Sequence, residues 1–217
     1  MRLVFLGPPG VGKGTQAERI RAELDIPHLS AGDMLREAVR RGTEGGRKAR
    51  AIMERGELVP DALIGEMIAE KLRALEGTKG FLLDGYPRNT AQVEALDAVL
   101  ASLNARLDKA LLLVAPEEEI LRRLTLRRSC PSCGAVYHLA HRPPRGVGVC
   151  DACGARLVQR SDDTEEVVRS RLAVYRRQTA PIVEIYRRRG ILAEVDGIGS
   201  ADEVAARIRR ALQDAAA

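Results

Sequence analysis

The sequence predicts an α/β fold in which helices cover both faces of a parallel β-sheet. Short apolar runs of strand length stand at residues 3–6, 81–83 and 111–114, a pattern typical of strands that are buried on both faces. Helical patterns separate these runs, and this alternation is typical of right-handed βαβ units. With 217 residues, 45% of them hydrophobic, the chain is long enough for one α/β core with small insertions.

The first strand leads directly into a glycine-rich loop. Residues 7–15 read GPPGVGKGT, and a helical pattern follows at residues 16–24. Strand, glycine loop and helix in this order are the context of a phosphate-binding P-loop. Glycines let backbone N–H groups approach phosphate oxygens, and the N-terminus of the helix adds positive charge. We therefore predict a triphosphate site, with Lys13 as a mobile charge for the β- and γ-phosphates.

The sequence also bears on the magnesium ion that accompanies a triphosphate. Gly14 separates Lys13 from Thr15, whereas the general P-loop pattern places Ser or Thr directly after the lysine as a metal ligand. The ligand is therefore left open, with water and phosphate oxygens as candidates. Asp84 ends a neighbouring strand, where an acid lies near the nucleotide metal; the alternative is that it caps the next helix. Arg88 follows and brings a guanidinium to the place where a phosphate would lie.

The remaining helices and strands follow from periodicity and from capping residues. Ser30 or Asp33 is suited to cap a helix that opens at this point, and the glycines at 42–46 are expected to interrupt the helical pattern. A long helix begins near residue 162 and is kinked or restarted at Pro181. The other predicted elements are strands at 27–30 and 191–196 and helices at 48–55, 60–75, 89–103, 116–126 and 201–212.

The overall composition limits the classes of partner and location. The net charge is +5, and aromatic residues make up only 3% with no Trp, so platforms for stacking single-stranded nucleic acid are scarce. Of 35 basic residues only five are lysines, and arginine binds phosphate as a planar, two-pronged donor. No run approaches the ~18 apolar residues of a membrane span. The first strand begins at the N-terminus without a leader pattern, so we expect a cytoplasmic protein.

All four cysteines lie in a stretch rich in glycine and proline between residues 127 and 163. Their spacing, C-x2-C, sixteen residues and C-x2-C, is typical of a tetrahedral zinc site, in which iron is an alternative metal. Four protein ligands leave no position open for substrate, so the metal is predicted to be structural. A disulfide is the other interpretation, which the absence of a secretion signal disfavours. The predicted ligands are Cys130, Cys133, Cys150 and Cys153, and His138 and His141 nearby are interpreted as surface histidines.

Five segments together resemble the bacterial adenylate kinases that carry a long, zinc-binding lid, and the similarity covers almost the whole chain. The first two are the glycine loop, whose Gly14 is normal in that family, and the cysteine-bearing insertion. The other three read Gly32-Asp33-Met34-Leu35-Arg36, Asp84-Gly85-Tyr86-Pro87-Arg88 with Gln92, and Arg160-x-Asp162-Asp163. The resemblance implies a three-layer P-loop fold with a five-stranded parallel sheet. It also implies reversible, magnesium-dependent phosphoryl transfer from ATP to AMP, giving two ADP.

The resemblance divides the chain into a core and two mobile parts. The core comprises residues 1–29, 60–125 and 164–217. A helical insertion at 30–59 binds the nucleoside monophosphate, and residues 126–163 form the zinc-containing lid. The implied cofactors are Mg²⁺ with ATP and a structural Zn²⁺. The implied partners are ATP and AMP, with no nucleic acid and no membrane, and the protein is expected to be a monomer.

Site residues are carried over from the family position by position. The residues implied to bind ATP are Gly10, Val11, Gly12, Lys13, Gly14, Thr15, Arg127, Val136, Tyr137 and Gly199. The residues implied to bind AMP are Ala31, Arg36, Glu57, Leu58, Val59, Gly85, Tyr86, Pro87, Arg88, Gln92, Arg160 and Arg171. The catalytic set is Lys13, Asp84, Arg88, Arg123, Arg127, Arg160 and Arg171. No general base is needed, because the AMP phosphate is already anionic, so alignment and charge neutralisation are the catalytic requirements.

Two positions depart from the family, and two other functions stay open. Ala31 stands where the family usually has Thr or Ser, and Glu57 stands where a basic or neutral residue is common.

A UMP/CMP-type kinase shares the P-loop and the Asp-Gly-x-Pro-Arg pattern, although the cysteine lid and Gln92 disfavour it. A nucleic-acid-binding ATPase with a zinc ribbon fits the basic charge and the four cysteines, whereas the few aromatics and the scattered arginines disfavour it.

Overall fold

A computed structural model describes residues 1–75 and 77–213, and the core within them is a five-stranded parallel sheet. The strands of the chain are β1 (Arg2–Leu6), β2 (His28–Ser30), β3 (Phe81–Asp84), β4 (Lys109–Val114), β5 (Arg127–Ser129), β6 (Val136–His138) and β7 (Leu192–Asp196). Five of them form the sheet in the order β2-β3-β1-β4-β7, with every neighbouring pair parallel. The predicted α/β class and the five-stranded parallel sheet are confirmed. The predicted core segment 164–217 runs past the described residues, because 214–217 lie outside them.

Helices form a layer on each face of this sheet. The helices of the described part of the chain are α1 (Lys13–Leu24), α2 (Ala31–Arg40), α3 (Glu44–Glu54), α4 (Asp61–Ala74), α5 (Thr90–Ser102), α6 (Glu117–Thr125), α7 (Glu165–Val174), α8 (Ile182–Arg188) and α9 (Ala201–Gln213). Ile68 of α4, Leu96 of α5 and Tyr186 of α8 pack on one face, and Ile20 of α1 and Ile208 of α9 pack on the other. None of these helices combines the length and the apolar character needed to span a membrane.

Strand β1 explains why the sheet needs both layers. Leu3 and Phe5 belong to the apolar cluster under α1 and α9, whereas Val4 and Leu6 belong to the cluster on the opposite face. All four side chains are at most 3% exposed. Because successive side chains of a strand point to opposite faces, an entirely apolar strand is stable only between two covering layers.

The helical insertion between β2 and α4 corrects one prediction. The glycines at 42–46 predict a break, but α3 begins at Glu44 and runs through two of them. Thr43 caps the helix, since its Oγ1 accepts a hydrogen bond from Gly46 N at 3.0 Å. A Cβ added to Gly46 would lie 2.1 Å from the carbonyl oxygen of Ala38 in α2. Glycine at this position therefore permits the close approach of two helices and does not end one.

The long helix predicted after residue 162 is divided into parts. Helix α7 is followed by a π-helical turn, Tyr175–Thr179, and then by α8. The N–H of Ala180 donates to the carbonyl of Tyr175, five residues earlier, at 2.8 Å. The interruption at Pro181 follows from the missing N–H of proline. The wider turn before it is not visible in the sequence, because its hydrogen-bond pattern has no residue signature.

The cysteine-bearing insertion returns to the point where it leaves the core. Strands β5 and β6 pair antiparallel at its start. The outgoing chain lies beside β5, since Ser129 N donates to Val158 O at 2.8 Å and Val158 N donates to Ser129 O at 2.9 Å. The two ends of the insertion are thus hydrogen-bonded to each other at its base.

Candidate active site

The glycine loop joins β1 to α1 at the carboxyl edge of the sheet. Gly7 and Gly10 adopt positive φ angles of 130° and 79°. A Cβ on Gly7 would lie 2.3 Å from the carbonyl oxygen of Leu113, and one on Gly10 would lie 2.5 Å from Cγ of Leu124. Only glycine meets both the conformational and the spatial demand. The loop is therefore held against β4 and α6, directly in front of a helix N-terminus, which is the arrangement of a phosphate site.

Lys13 begins α1 and folds its side chain back over the loop. Its Nζ donates to the carbonyl oxygens of Gly7 at 2.8 Å and Pro8 at 2.9 Å. Burial lowers the pKa of Lys13 to about 8; the Asp84 carboxylate opposes this shift and the Arg88 guanidinium adds to it. An ammonium whose charged form is disfavoured in this way is stabilised when an anion enters the site.

Asp84 lies at the carboxyl end of β3, beside the glycine loop. A Cβ added to Gly14 would lie 3.7 Å from Asp84 Oδ2, so the bare glycine leaves the carboxylate close to the start of α1. The alternative interpretation of Asp84 as a helix cap is wrong, because Asn89 caps α5 by accepting a hydrogen bond from Gln92 N at 2.8 Å.

His28, which no sequence motif singles out, has a buried side chain next to Asp84. Its Nε2 lies 3.8 Å from Asp84 Oδ2, and its Nδ1 lies 3.1 Å from Glu18 Oε1. Burial alone would lower the pKa of His28, but the nearby carboxylates of Asp84 and Glu18 outweigh it and raise that pKa. The histidine therefore forms part of the surroundings that hold Asp84 in place.

Arginines gather around Lys13 from several elements. Burial and the positive charge of Arg171 lower the pKa of Arg88 to about 10. Burial also lowers the pKa of Arg160 to about 9, and the positive charge of Arg36 contributes to this shift. Neighbouring cations repel one another in a site that is partly shielded from water, and an anion that enters the site relieves this repulsion and is bound strongly. The arrangement is suited to a polyanion such as a nucleotide phosphate chain.

The base of the insertion carries a buried carboxylate between two of these arginines. Arg127 Nε and Nη2 donate to Asp163 Oδ2 at 2.7 Å and Oδ1 at 2.5 Å. Arg171 Nη1 lies 3.3 Å from Asp163 Oδ1 and donates to the carbonyl oxygen of Asp162 at 2.8 Å. The Asp163 side chain is 0% exposed. The motif Arg160-x-Asp162-Asp163 contains this residue, but its pairing with Arg127 depends on the fold.

Arg123 approaches the glycine loop from α6. Its Nη1 donates to the carbonyl oxygen of Val11 at 3.0 Å, and its Nε donates to Glu119 Oε1 at 2.7 Å. The predicted ATP residue Gly199 lies in the neighbouring segment between β7 and α9, where a Cβ on Gly197 would lie 3.3 Å from the same carbonyl oxygen of Val11. Arg123 and Gly197 therefore flank the glycine loop, and the predicted Gly199 follows Gly197 by two residues.

A second group of charges lines a cavity between α2, α3 and residues 160–162. Its volume is about 280 Å³, and Arg36, Arg160 and Asp162 are among its lining residues. Arg36 Nη2 donates to Asp33 Oδ1 at 2.6 Å, and Ser30 caps α2 by accepting from Asp33 N. A larger open depression of about 550 Å³ lies away from these groups, between α1 and residues 77–79.

Most of the remaining predicted AMP residues lie at the start of α2 and in the turns at 56–60 and 85–88, outside the lining of this cavity. Ala31 and Gly85 are neighbours, since a Cβ added to Gly85 would lie 3.7 Å from Cβ of Ala31. The carboxylate of Glu57 pairs with Arg55 at 2.9 Å, so its charge is already engaged by the protein. The other predicted contact residues of these turns, Leu58, Val59, Tyr86 and Pro87, are buried or half-buried.

Gln92 is buried in a polar network that the sequence did not reveal. Its Oε1 accepts a hydrogen bond from Arg88 N at 2.7 Å, and its Nε2 donates to Asp61 Oδ1 at 2.6 Å. Asn89 Nδ2 donates to both carboxylate oxygens of Asp61 at 3.0 Å. The network joins the first turn of α4 to the loop that carries Arg88. Asp61 is 31 residues from Gln92 in the chain, so no local pattern indicates the contact.

The four predicted metal ligands come together in the insertion. The sulfur atoms of Cys130, Cys133, Cys150 and Cys153 all lie within 4.8 Å of one another. The Sγ atoms of Cys130 and Cys153 are 3.4 Å apart, and those of Cys133 and Cys150 are 3.6 Å apart. These separations exceed the ~2.05 Å of a disulfide and approach the ~3.8 Å between thiolates on a tetrahedral zinc ion. The chemistry and the spacing of the donors fit zinc.

The two cysteine pairs sit in turns with the same hydrogen bonds. Gly134 N donates to Cys130 O at 3.0 Å, and Gly154 N donates to Cys150 O at 2.8 Å. Both glycines have positive φ angles, 79° and 74°, which a tight turn of this kind requires. Two equivalent turns facing each other direct four sulfur atoms to one point.

Tyr137 and Val136, predicted to line the adenine region, have different surroundings. The Tyr137 side chain is 5% exposed and packs with Cys130, Cys150 and Leu157. Its hydroxyl lies 3.5 Å from Cys150 Sγ. The side chain of Tyr137 is therefore part of the small core around the cysteines, whereas Val136 is 40% exposed.

Comparisons with known proteins agree on one family. A family model described as "Adenylate kinase" matches residues 5–191. The chain is 53% identical over 197 residues to a protein named adenylate kinase from Archaeoglobus fulgidus, with 91% of both chains covered. It is 52% identical to the adenylate kinase of Thermodesulfovibrio yellowstonii over 94% of this chain and 95% of the other. The adenylate kinase of Moorella thermoacetica is 52% identical over 98% of both chains.

Proposed function

We infer that this chain, which belongs to the adenylate kinase family, catalyses the reversible transfer of the terminal phosphoryl group of ATP to AMP, giving two ADP. It is a nucleoside monophosphate kinase, and its relatives are named adenylate kinase. Both substrates are polyanions that repel each other, so the enzyme must hold them in line and neutralise their charge.

The crowding of cations beside the glycine loop carries this proposal. Lys13, Arg88 and Arg160 all have a lowered pKa, first through burial and then through neighbouring positive charges. A site with this excess of positive charge is preorganised for the charge that develops on a transferring phosphoryl group. No side chain is needed as a general base, because the attacking phosphate oxygen of AMP is already anionic.

We assign the ATP phosphates to the glycine loop. Backbone N–H groups of residues 10–15 and the N-terminus of α1 would bind phosphate oxygens, and Lys13 would leave the carbonyls of the loop to reach the β- and γ-phosphates. Arg123, which already contacts Val11, and Arg127 would hold the phosphate chain from the side of the lid. Gly199 would border the adenine.

AMP is assigned to the cavity on the other side of the transferring phosphoryl group. Arg36 and Arg160 line that cavity and would bind the AMP phosphate together with Arg88 and Arg171. Bidentate contacts from several arginines fix both the position and the direction of a phosphate. Gln92, next to Arg88, would contact the base.

The donor set of the glycine loop fits magnesium held through water. The chain has no Ser or Thr directly after Lys13, and Asp84 lies beside Gly14 at the carboxyl end of β3. Asp84 would accept hydrogen bonds from water molecules on the ion. When bound, magnesium neutralises charge on the β- and γ-phosphate oxygens. Lys13 and the arginines then neutralise the rest.

We propose that residues 30–59 and 126–163 move to close the site. Arg40 Nη1 of α2 donates to the carbonyl oxygen of Ser132 at 3.0 Å, so the two segments are in contact at this point. Closure would exclude water, which competes with AMP for the phosphoryl group. Distances between labels on the lid and on the core are expected to shorten when a bisubstrate inhibitor binds. Unchanged distances would show that the segments do not move.

We assign a structural zinc ion to Cys130, Cys133, Cys150 and Cys153. All four positions of a tetrahedral ion are then filled by protein, which leaves none for a substrate. The ion would stabilise an insertion that is too small to build a large apolar core of its own. The proposal also includes a monomeric enzyme in the cytoplasm, and light scattering of the purified protein tests its oligomeric state.

The decisive experiment measures nucleoside diphosphate formation from Mg·ATP with AMP, CMP, UMP or GMP as acceptor. We expect AMP to be the preferred acceptor by a wide margin. Lys13→Ala should lower kcat by about 10²- to 10³-fold, because it removes a preorganised charge from the transition state. Lys79→Ala is the matched control, since Lys79 pairs with Asp25 at the surface.

The same assay separates the alternatives. A preference for CMP or UMP would indicate the UMP/CMP-type kinase. Retention on DNA or RNA that weakens with salt, together with ATP hydrolysis and no acceptor, would indicate the nucleic-acid-binding ATPase. A folded protein that forms no diphosphate from any of the four acceptors would refute the proposed function.

A further inference from the structure

The side-chain amide of Gln92 is fixed in one orientation by its two neighbours. Arg88 N–H can only donate a hydrogen bond, and the Asp61 carboxylate can only accept one. The atom at 2.7 Å from Arg88 N must therefore be the oxygen, and the atom at 2.6 Å from Asp61 Oδ1 must be the nitrogen. An amide rotated by half a turn would face N–H with N–H and oxygen with carboxylate, so both contacts would become repulsive.

This orientation determines what the amide still offers to a ligand. Oε1 has two lone pairs and uses one to accept the hydrogen bond from Arg88 N. Nε2 has two hydrogens and donates one to Asp61. One acceptor site and one donor remain. Gln92 is only 3% exposed, so the remaining pair is not freely exchanged with solvent, and a base that fails to match it would leave buried polar groups unpaired.

The remaining donor and acceptor match one kind of purine. Adenine presents a 6-amino donor next to the N1 acceptor, which suits Oε1 and Nε2 as they are fixed. A 6-oxopurine presents the reverse, an oxygen acceptor next to an N1–H donor, and would need the rotated amide. Rejection of the wrong base then comes from a repulsive contact as well as from a lost attractive one.

We propose that Asp61 is a specificity-determining positioning residue, which locks the Gln92 amide so that the monophosphate site accepts 6-aminopurines and rejects 6-oxopurines. The proposal rests on the proposed function, in which Gln92 contacts the base of the acceptor nucleotide. Asp61 itself touches no substrate. It acts through the hydrogen bond to Nε2, from the first residue of α4, two residues after the segment 30–59.

The test compares AMP with IMP, whose base differs from adenine only in the reversed hydrogen-bonding edge. Asp61→Asn keeps the shape, but its amide can donate or accept, so the rotated form of Gln92 loses one of its two penalties. We expect the ratio of kcat/KM for IMP to that for AMP to rise about tenfold, the effect of one hydrogen bond to a charged group. Asp61→Ala should change the ratio in the same direction.

Asn89→Ser is the matched control. Serine keeps a cap on α5 and removes the hydrogen bond from Asn89 to Asp61, but it leaves the contact between Asp61 and Gln92 intact. Its ratio should equal that of the wild type. If Asp61 only stabilises the fold, its variants should lower the rates with both acceptors together and leave the ratio unchanged, which would overturn the proposal.

A measurement on the wild-type enzyme does not depend on the folding of any variant. Purine riboside 5′-monophosphate has the N1 acceptor of adenine and no 6-substituent, so the locked Nε2 donor should favour it over IMP. Equal use of these two acceptors would also overturn the proposal. A wild-type enzyme that makes no ADP from AMP would instead refute the proposed function, which keeps the two failures distinct.

Discussion

Arg127 and Asp163 form a two-point ion pair that connects the two ends of the cysteine-bearing insertion. Arg127 opens β5, and Asp163 lies just before α7, where its carboxylate is fully buried and also meets Arg171. The donor–acceptor distances of 2.7 and 2.5 Å match charge-assisted hydrogen bonds. One carboxylate thus holds two arginines of the predicted catalytic set at the base of this insertion.

Replacing Asp163 should destabilise the protein strongly. Asp163→Ala leaves two partly buried guanidinium groups without their partner, and breaking a buried pair in this way costs about 3–5 kcal/mol in the free energy of unfolding. Urea denaturation measures the change. Asp202→Ala, which removes an exposed partner of Arg19, should leave the stability near that of the wild type. A loss for Asp163→Ala that is no larger than that of the surface variant would contradict this role.

Binding of ATP should take up a proton above pH 8. In the free protein the pKa of Lys13 is about 8, below the ordinary 10.5, so the amine is mostly neutral at pH 9 and mostly charged at pH 7. The triphosphate favours the ammonium form, so binding at pH 9 must protonate it. Calorimetry in two buffers of different ionisation enthalpy measures the uptake at each pH. Lys13→Met should abolish the difference between pH 7 and pH 9; an equal uptake in the variant would show that another group titrates.

Removing the metal should affect stability more than chemistry. Purified protein is expected to hold a single zinc ion per chain, and a chelator should lower Tm markedly while the initial rate at 25 °C is largely kept, because the filled ligand set leaves no place for substrate. Metal analysis, thermal melting and the rate are measured on the same sample. Ser132→Ala, in the turn between two ligands, should keep the metal. A metal-free protein that is still folded but inactive would give zinc a chemical role.

Two glycines in helices should respond in opposite ways to alanine. Gly46→Ala places a Cβ 2.1 Å from the carbonyl oxygen of Ala38 and should destabilise the protein by about 1–3 kcal/mol through overpacking. Gly65→Ala in α4 has its nearest neighbour, the Tyr86 hydroxyl, 4.0 Å away and should stabilise by about 0.5–1 kcal/mol through helix propensity. The free energies of unfolding of both variants are measured, and a Gly46→Ala variant that is as stable as the wild type or more stable would argue against close packing at Gly46.

Features set by local chemistry could be predicted from the sequence. The strands were visible because burial on both faces requires unbroken apolar runs, as in Leu111 and its neighbours. The phosphate loop and the cysteine pairs were visible because their ligands demand fixed residue types at fixed spacings. In each case the constraint acts within a few residues, so the pattern is present in the sequence before any folding.

Features set by contacts between distant segments could not be predicted. Gly46 is typical of a helix break in the sequence, but in the structure it lies inside α3 and packs against α2. The burial of the Tyr137 ring against Cys130, Cys150 and Leu157 is likewise set by the fold. From the sequence, Asp61 is predicted only to begin a helix. Its contacts with Gln92 and Asn89 arise from the packing of α4 on α5. His28 acquires its carboxylate neighbours in the same way.

The hydrogen bonds between Ser129 and Val158 have a consequence for how this enzyme can vary. Because the chain leaves α6 and returns to α7 at nearly one point, the residues beyond that point lie outside the connections between the five parallel strands. A shorter loop without cysteines, or a foreign module whose termini are equally close, could be grafted there without disturbing the order of the five strands. A variant in which such a loop replaces the four cysteines should therefore keep the five-stranded sheet and the glycine loop.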